Sequence, residues 1–302
     1  MSDRVLPKVS FDHTDPGLRP FIEVEAKIIL DVFAQARDEV WSARDLVERV
    51  ADTATSDAEA GAREMSEQVP STRRLLPVCQ EGCAYCCHGP VFASSAEILR
   101  VAAHLRATRS PDELAALRTR AKETAARVAP LDLEQRAVEK VPCPLLDQAS
   151  GRCGVYPVRP IACRAYHSGS VEACKKGFDA CETNPLLPIN PALFHVAHAY
   201  SFGMMTACAA EGLDPGPYDL AVALPAALDD DLSARWVAGE RVLPSTAVSE
   251  RMREGYVTTL GELSADLRAG RLDAASRVAA KLDPDARRRE RNKKKRERRK
   301  NG

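Results

Sequence analysis

Ten cysteines carry most of the chemistry open to this sequence: Cys79, Cys83, Cys86, Cys87, Cys143, Cys153, Cys163, Cys174, Cys181 and Cys208. Thiolates bind zinc and iron–sulfur clusters, and steps of two or three residues let one loop turn several sulfurs toward one point. The run Cys79-Gln-Glu-Gly-Cys83-Ala-Tyr-Cys86-Cys87 has that spacing, with Gly82 free to turn the backbone. Adjacent Cys86 and Cys87 do not easily face one ion, so one of them is expected to serve a second metal or another iron of a cluster. A second group, Cys143, Cys153 and Cys163, is evenly spaced on a chain punctuated by Pro and Gly, and Cys174 and Cys181 follow more loosely. With Cys174 the set reaches eight ligands, enough for two four-sulfur sites or one larger cluster. A four-thiolate site holding Zn²⁺ or a [4Fe–4S]²⁺ core carries about −2. Arg152, Arg159 and Arg164 stand where they would offset that charge. Arg159 and Arg164, with Tyr156 and Tyr166, are the expected outer partners of the ligands.

Those groups need elements to position them, and the sequence reads as mostly α-helical, with helices around a loop-rich, metal-ordered cysteine core. The chain has 302 residues, 45% apolar and 28% charged, which excludes collagen-like, fully disordered and membrane-bundle classes. Apolar residues recur at helical steps from Ile22 to Val50, predicting a long N-terminal helix. Ser94 with Glu97 forms a capping box ahead of Ile98, Ala102 and Leu105. Ser110-Pro111-Asp112-Glu113 starts another helix, with Pro at its first position. Residues 141–190 carry many Pro and Gly and read as loops and turns. Such a stretch is uncommon in a compact domain unless bound metal orders it. Helices are predicted again over Leu193–Ala210, Tyr218–Leu228 (interrupted by Pro225) and Ala247–Leu267. The expected division is 1–75 helical, 76–185 cysteine cluster, 186–286 helical and 287–302 a basic tail.

Charge and compartment narrow the functions further. Lys and Arg number 43, as do Asp and Glu. Arg287 to Lys300 holds eleven basic residues against two acidic ones, so a +9 tail follows a −9 body. That tail suits a nucleic acid or another polyanion, bound without sequence preference and sensitive to salt, because it has no aromatic for base stacking. It equally suits a solvated tail with no partner. No apolar run is long enough to span a membrane and no secretory leader is visible, so a cytoplasmic address is expected. There thiols stay reduced, which favours metal ligation over disulfides. His88 and His167 flank the cysteines as further possible ligands. His195 and His198 read as a packed pair, and Cys208 as a small core residue.

The CxxxCxxCC run, then Cys-Pro-Leu-Leu, Gly-Arg-Cys-Gly-Val-Tyr and Arg-Pro-Ile-Ala-Cys-Arg, resembles the zinc- or iron-chelating cysteine-cluster family (YkgJ-like) over about residues 76–185. The resemblance implies Cys79, Cys83, Cys86, Cys87, Cys143, Cys153 and Cys163 as metal ligands, with Cys174 in a less regular eighth position. It also implies a kinship with flagellin lysine methylases associated with an iron–sulfur cluster, and hence a protein side-chain methyltransferase as one alternative. Residues 79–86 also fit the CxxxCx(aromatic)C spacing of radical S-adenosylmethionine enzymes. That fold needs repeated strand–helix units, whereas this chain offers helices and adds Cys87 at once. The expected cofactor is an iron–sulfur cluster, [4Fe–4S] favoured, or zinc. The expected role is metal chelation with redox or group transfer. A structural zinc module presenting the basic tail to nucleic acid is the alternative.

Overall fold

The computed structural model describes residues 77–269, apart from 184, 186, 230 and 231. The helix expected over residues 22–50 and the basic tail at 287–302 lie outside these residues.

The described chain is mostly helical, as expected. Helix α1 (Ser95–Thr108) starts where the capping box places it. The Ser94 hydroxyl accepts from Glu97 N–H, and the Glu97 carboxylate accepts from Ser94 N–H. Helix α2 (Pro111–Val128) has the same device at Ser110 and Glu113, with Pro111 at its first position. A short α3 (Leu133–Glu139), which the sequence reading did not anticipate, is boxed by Asp132 and Gln135 and ends at Lys140 in the left-handed region.

The stretch expected as loops is more ordered than its composition suggests. It contains a tight pairing of β2 (Leu146–Asp147) with β3 (Arg152–Cys153) and two short helices, α4 (Ile161–Ala165) and α5 (Val171–Asp179). Pro160 precedes α4, where its missing N–H costs nothing, and the Ser170 hydroxyl caps α5 by accepting from Ala173 N–H. These are local signals that a count of Pro and Gly overrides.

The remaining elements are α6 (Pro191–Ala210), α7 (Leu220–Asp229), α8 (Ser233–Val237) and α9 (Ala247–Arg268). Pro225 lies inside α7 without ending it. Strand β1 (Phe92–Ala93) pairs antiparallel with β4 (Tyr218–Asp219). Helix α7 packs on α2 and α1, while α6 carries α9 and α4. One apolar core runs through these helices and includes Ile98, Leu105, Leu117, Met204, Leu224 and Trp236. Cys208 is fully buried in it, as read from the sequence.

Two buried ion pairs stiffen this frame. Arg136 binds Asp219 at 3.0 Å, both almost without solvent exposure. Asp214 accepts from Ser95 Oγ, Tyr218 Oη and Arg253 Nη1, and its backbone carbonyl accepts from Trp236 Nε1. The second network joins the start of α1 to β4, α8 and α9, so the base of the helical layer acts as one unit.

Candidate metal centre

The loop that carries the first cysteines runs over the surface: no residue from 77 to 92 is buried. Gly82 sits at φ +91°, a conformation that L side chains rarely adopt, and lets the chain reverse between Cys79 and Cys83. A single 3₁₀ turn, Tyr85–His88, then holds Cys86 and Cys87. Four other segments hold this loop in place. Val78 N–H donates to Ser168 O (2.9 Å), and Ser168 N–H donates to the Cys79 sulfur (3.4 Å). Cys143 N–H donates to Cys87 O (2.7 Å). A Cβ on Gly151, at φ +69°, would come within 2.5 Å of Gly82 O, so the β2–β3 turn and the loop touch backbone to backbone. From α5, the Phe178 ring meets Tyr85 and His88 at 5.6 and 5.1 Å.

The second cysteine group is rooted differently. Cys143 and Cys153 pack against the main core, and Cys163 lies within α4. Their neighbours Val141, Leu145, Leu146, Val155, Ile161 and Ala165 are all at most 5% exposed. Long polar side chains pin the same backbone. Arg109 donates to Gly154 O and Arg120 to Pro144 O, each at 2.8 Å. Buried Glu97 accepts from Ile161 N–H (2.7 Å) and so fixes the start of α4. Only the capping part of Glu97's role was visible in the sequence. No local signal marked Arg109, Arg120 or Ser168.

The sulfurs fall into two neighbourhoods. Ser168 touches Cys79 and also hydrogen-bonds Cys174. Burial raises the Cys83 thiol, and Cys79, Cys86 and Cys174 raise it further. On the inner side burial pushes the Cys143 thiol up to about 12, with Cys153 adding to it. Cys163 is held well above the usual thiol range by burial and then by Cys143, Cys86 and Cys153. Cys86 stands between the two groups. Its hydrogen bond with Cys87 raises it most, followed by burial, and Arg159 lowers it. As placed, no three His, Cys, Asp or Glu side chains among the described residues stand at metal-ligating spacing. The thiols share a region without closing on a point, and all eight are free rather than disulfide-bonded. The donor type suits a thiophilic cation, because zinc and iron take cysteine sulfur as thiolate.

The expected outer partners take different stations. The Arg159 guanidinium lies 4.0 Å over the Tyr156 ring, and its buried Nε has no hydrogen-bond partner among the described residues. Arg164 donates to the carbonyls of Tyr156, Pro157 and Arg159, holding that turn. Tyr166 has its phenol pushed up to about 12, by burial first and then by Cys86 and Cys174. Arg152 pairs with Glu81 on the surface. His167 uses both ring nitrogens, Nδ1 with Ala165 O and Nε2 with Asn190 N–H, which leaves no lone pair for a metal. His88 spends Nδ1 on Ala84 O. His198 is paired with Phe194 O and stacked on the Phe194 ring, while the side chain of His195 lies outside the described set. Cys181 is half-buried, at φ +55° just beyond α5.

Residues 78–182 match the model of the CxxCxxCC family, described as "Putative zinc- or iron-chelating domain". This range covers every segment just described, from the loop at Cys79 to the end of α5. No curated protein and no solved structure matches the chain. Among the described residues no helix is long and apolar enough to cross a membrane.

Proposed function

We propose that this chain, built around a zinc- or iron-chelating domain, holds its metal as two linked four-thiolate sets. The outer set is Cys79, Cys83, Cys86 and Cys174. The inner set is Cys87, Cys143, Cys153 and Cys163. The reading rests on one observation: contacts spanning many residues draw the cysteine-bearing segments onto the Cys79–Cys87 loop, where eight free thiols share one region. Assigning Cys86 outward follows its exposure and its electrostatic contact with Cys83 and Cys174. Assigning Cys87 inward follows its backbone bond to Cys143.

The chain's own residues prepare for charge. Burial and neighbouring sulfurs raise the thiols of Cys83, Cys143, Cys163 and Cys174, so a metal entering must expel their protons, and retention weakens as pH falls. The partnerless Arg159 Nε is a donor available to offset thiolate charge. Iron–sulfur occupancy is favoured over zinc, because residues 79–86 have cluster-binding spacing and eight thiols exceed what one structural zinc needs. When bound, a cluster supplies electron transfer, or a Lewis-acidic iron where one coordination position stays open; zinc supplies a cross-link.

The test is metal and acid-labile sulfide analysis, with an absorption spectrum, on protein purified without oxygen. Iron with sulfide and a broad band near about 400 nm supports the cluster. Stoichiometric colourless zinc supports the zinc form. Protein that binds neither metal after anaerobic reconstitution overturns the proposal.

A further inference from the structure

We propose that the face formed by α1 and the turn at residues 154–159 binds single-stranded nucleic acid, with Tyr156 stacked on a base and the surrounding cations meeting the flanking phosphates. The sequence concentrates cations on two segments that the fold brings together. Residues 98–111 carry Arg100, His104, Arg106 and Arg109 without an Asp or Glu. Residues 148–171 carry Arg152, Arg159 and Arg164, again without one. Two of these side chains are engaged elsewhere: Arg106 donates to Ala227 O on α7, and Arg152 pairs with Glu81. The others converge. Helix α1 packs against the turn Tyr156–Val158. Arg109, at the end of α1, reaches Gly154 O at 2.8 Å, and Arg164 reaches Pro157 O at 2.9 Å. Arg100 and His104 lie four residues apart on α1 and so share a face. Burial and then Arg164 lower the Arg100 pKa, while burial, Arg109 and Arg100 lower that of His104. His104 is thus neutral at physiological pH and reports positive surroundings. Glu113 closes its capping box on Ser110 at the edge of the face, beside Arg109.

The chemistry of this face selects the partner. Residues 1–286 carry a net −9, so a polyanion is repelled by most of the body and steered to its basic patch. Tyr156 is 47% exposed, and the Arg159 guanidinium lies 4.0 Å over its ring. A ring backed by a cation on one side offers its other side to a base, and such stacking tolerates any sequence. Arg109 and Arg164 are anchored on backbone carbonyls, which fixes their positions and keeps their charge. Charges fixed beside an exposed ring match the alternation of phosphate and base along a strand. An acidic protein is the poorer fit. A stable protein interface buries about 800 Å² on each side around an apolar centre, whereas Tyr156 is the one aromatic residue of this turn. The basic tail at 287–302 suits the same polymer.

The experiment titrates a short, labelled oligouridylate with the full-length chain and reads fluorescence anisotropy over a range of salt concentrations. Tyr156→Ala is expected to weaken binding about tenfold, as for the loss of one stacked base, whereas Tyr156→Phe keeps the ring and stays within about twofold. Arg100→Gln and Arg109→Gln each lower the slope of log affinity against log salt by about one. Lys122→Gln removes a surface charge paired with Asp229, away from this face, and leaves affinity and slope unchanged. Far-ultraviolet circular dichroism checks that each variant is folded. Ultraviolet cross-linking of the unmodified chain, mapped by peptide mass, needs no variant: adducts on the Tyr156 peptide are expected. An affinity indifferent to Tyr156→Ala, an equal loss with Lys122→Gln, or adducts confined to residues 287–302 overturns the site. Polyglutamate bound as tightly as the oligouridylate assigns the face to an acidic protein and overturns it as well. None of these outcomes bears on metal chelation, which the metal and sulfide analysis tests separately.

Discussion

Glu97→Ala is expected to loosen the start of α4, which carries Cys163, without touching a cysteine. The Glu97 carboxylate accepts from Ser94 N–H (2.9 Å), Ser94 Oγ (2.7 Å) and Ile161 N–H (2.7 Å). Truncation leaves two backbone donors, at Ser94 and Ile161, without a partner in places where both residues are at most 2% exposed. A buried unsatisfied donor costs about 1–3 kcal/mol, so the pair costs about 2–6 kcal/mol before relaxation. Removing a buried carboxylate returns part of that, since burial raises the Glu97 pKa above its ordinary value. A net loss of about 2–4 kcal/mol remains, an estimate built from those unpaired-donor costs. With a urea slope of about 2 kcal/mol/M, the unfolding midpoint falls by about 1–2 M. Glu97→Gln retains one oxygen and should lose about half as much. The pH dependence has a definite sign. Because the folded pKa is raised, the advantage of the native Glu is complete below about 4.5 and declines as pH rises through the folded value. The gap between parent and Glu97→Gln therefore narrows with rising pH. The assay is urea unfolding at several pH values, read by circular dichroism. A Glu97→Ala midpoint equivalent to less than about 0.5 kcal/mol from the parent would refute the role given to this side chain.

Gly151→Ala drives a methyl group to within 2.5 Å of Gly82 O and occupies a left-handed backbone. It should cost about 1–3 kcal/mol and reduce metal content by separating the hairpin from the loop; unchanged metal content would show that this contact does not position the thiols. Arg136→Met leaves Asp219 buried without its cation and should cost about 3–5 kcal/mol, while Arg136→Met with Asp219→Leu recovers much of the loss. Additive losses in thermal unfolding would contradict a coupled pair. Burial lowers the His167 pKa, and Nε2 accepts from Asn190 N–H. A group depressed in this way contributes stability above about pH 6.5 that is lost as pH falls. His167→Gln should flatten that part of the stability profile, and an unchanged profile would place the titration elsewhere.

The sequence by itself determined whatever depends on near neighbours. The starts of α1 and α2 were legible because a capping box is an exchange between residues three apart, complete within one turn. The cysteines announced a metal-chelating domain because ligand type and loop spacing are chemical facts of the chain, and the family match covers the same range. Cys208 read correctly as core, since a small apolar thiol amid apolar residues in a helix has little else to do.

Only the tertiary structure decided which sulfurs are neighbours. Cys79 meets Ser168 across 89 residues, and Cys143 reaches Cys87 after two intervening long helices. Spacing alone cannot say which cysteine-bearing segments touch, because flexible loops permit many approaches until packing fixes their direction. The same holds for Arg164, which stood beside Cys163 as a charge partner but spends its guanidinium on the carbonyls of the 156–159 turn. His167 seemed available to a metal beside the cysteines, yet its two nitrogens are committed to Ala165 and Asn190. Backbone carbonyls and amides are invisible as partners in a sequence, since every residue carries them. Only the fold determines which ones reach a given side chain.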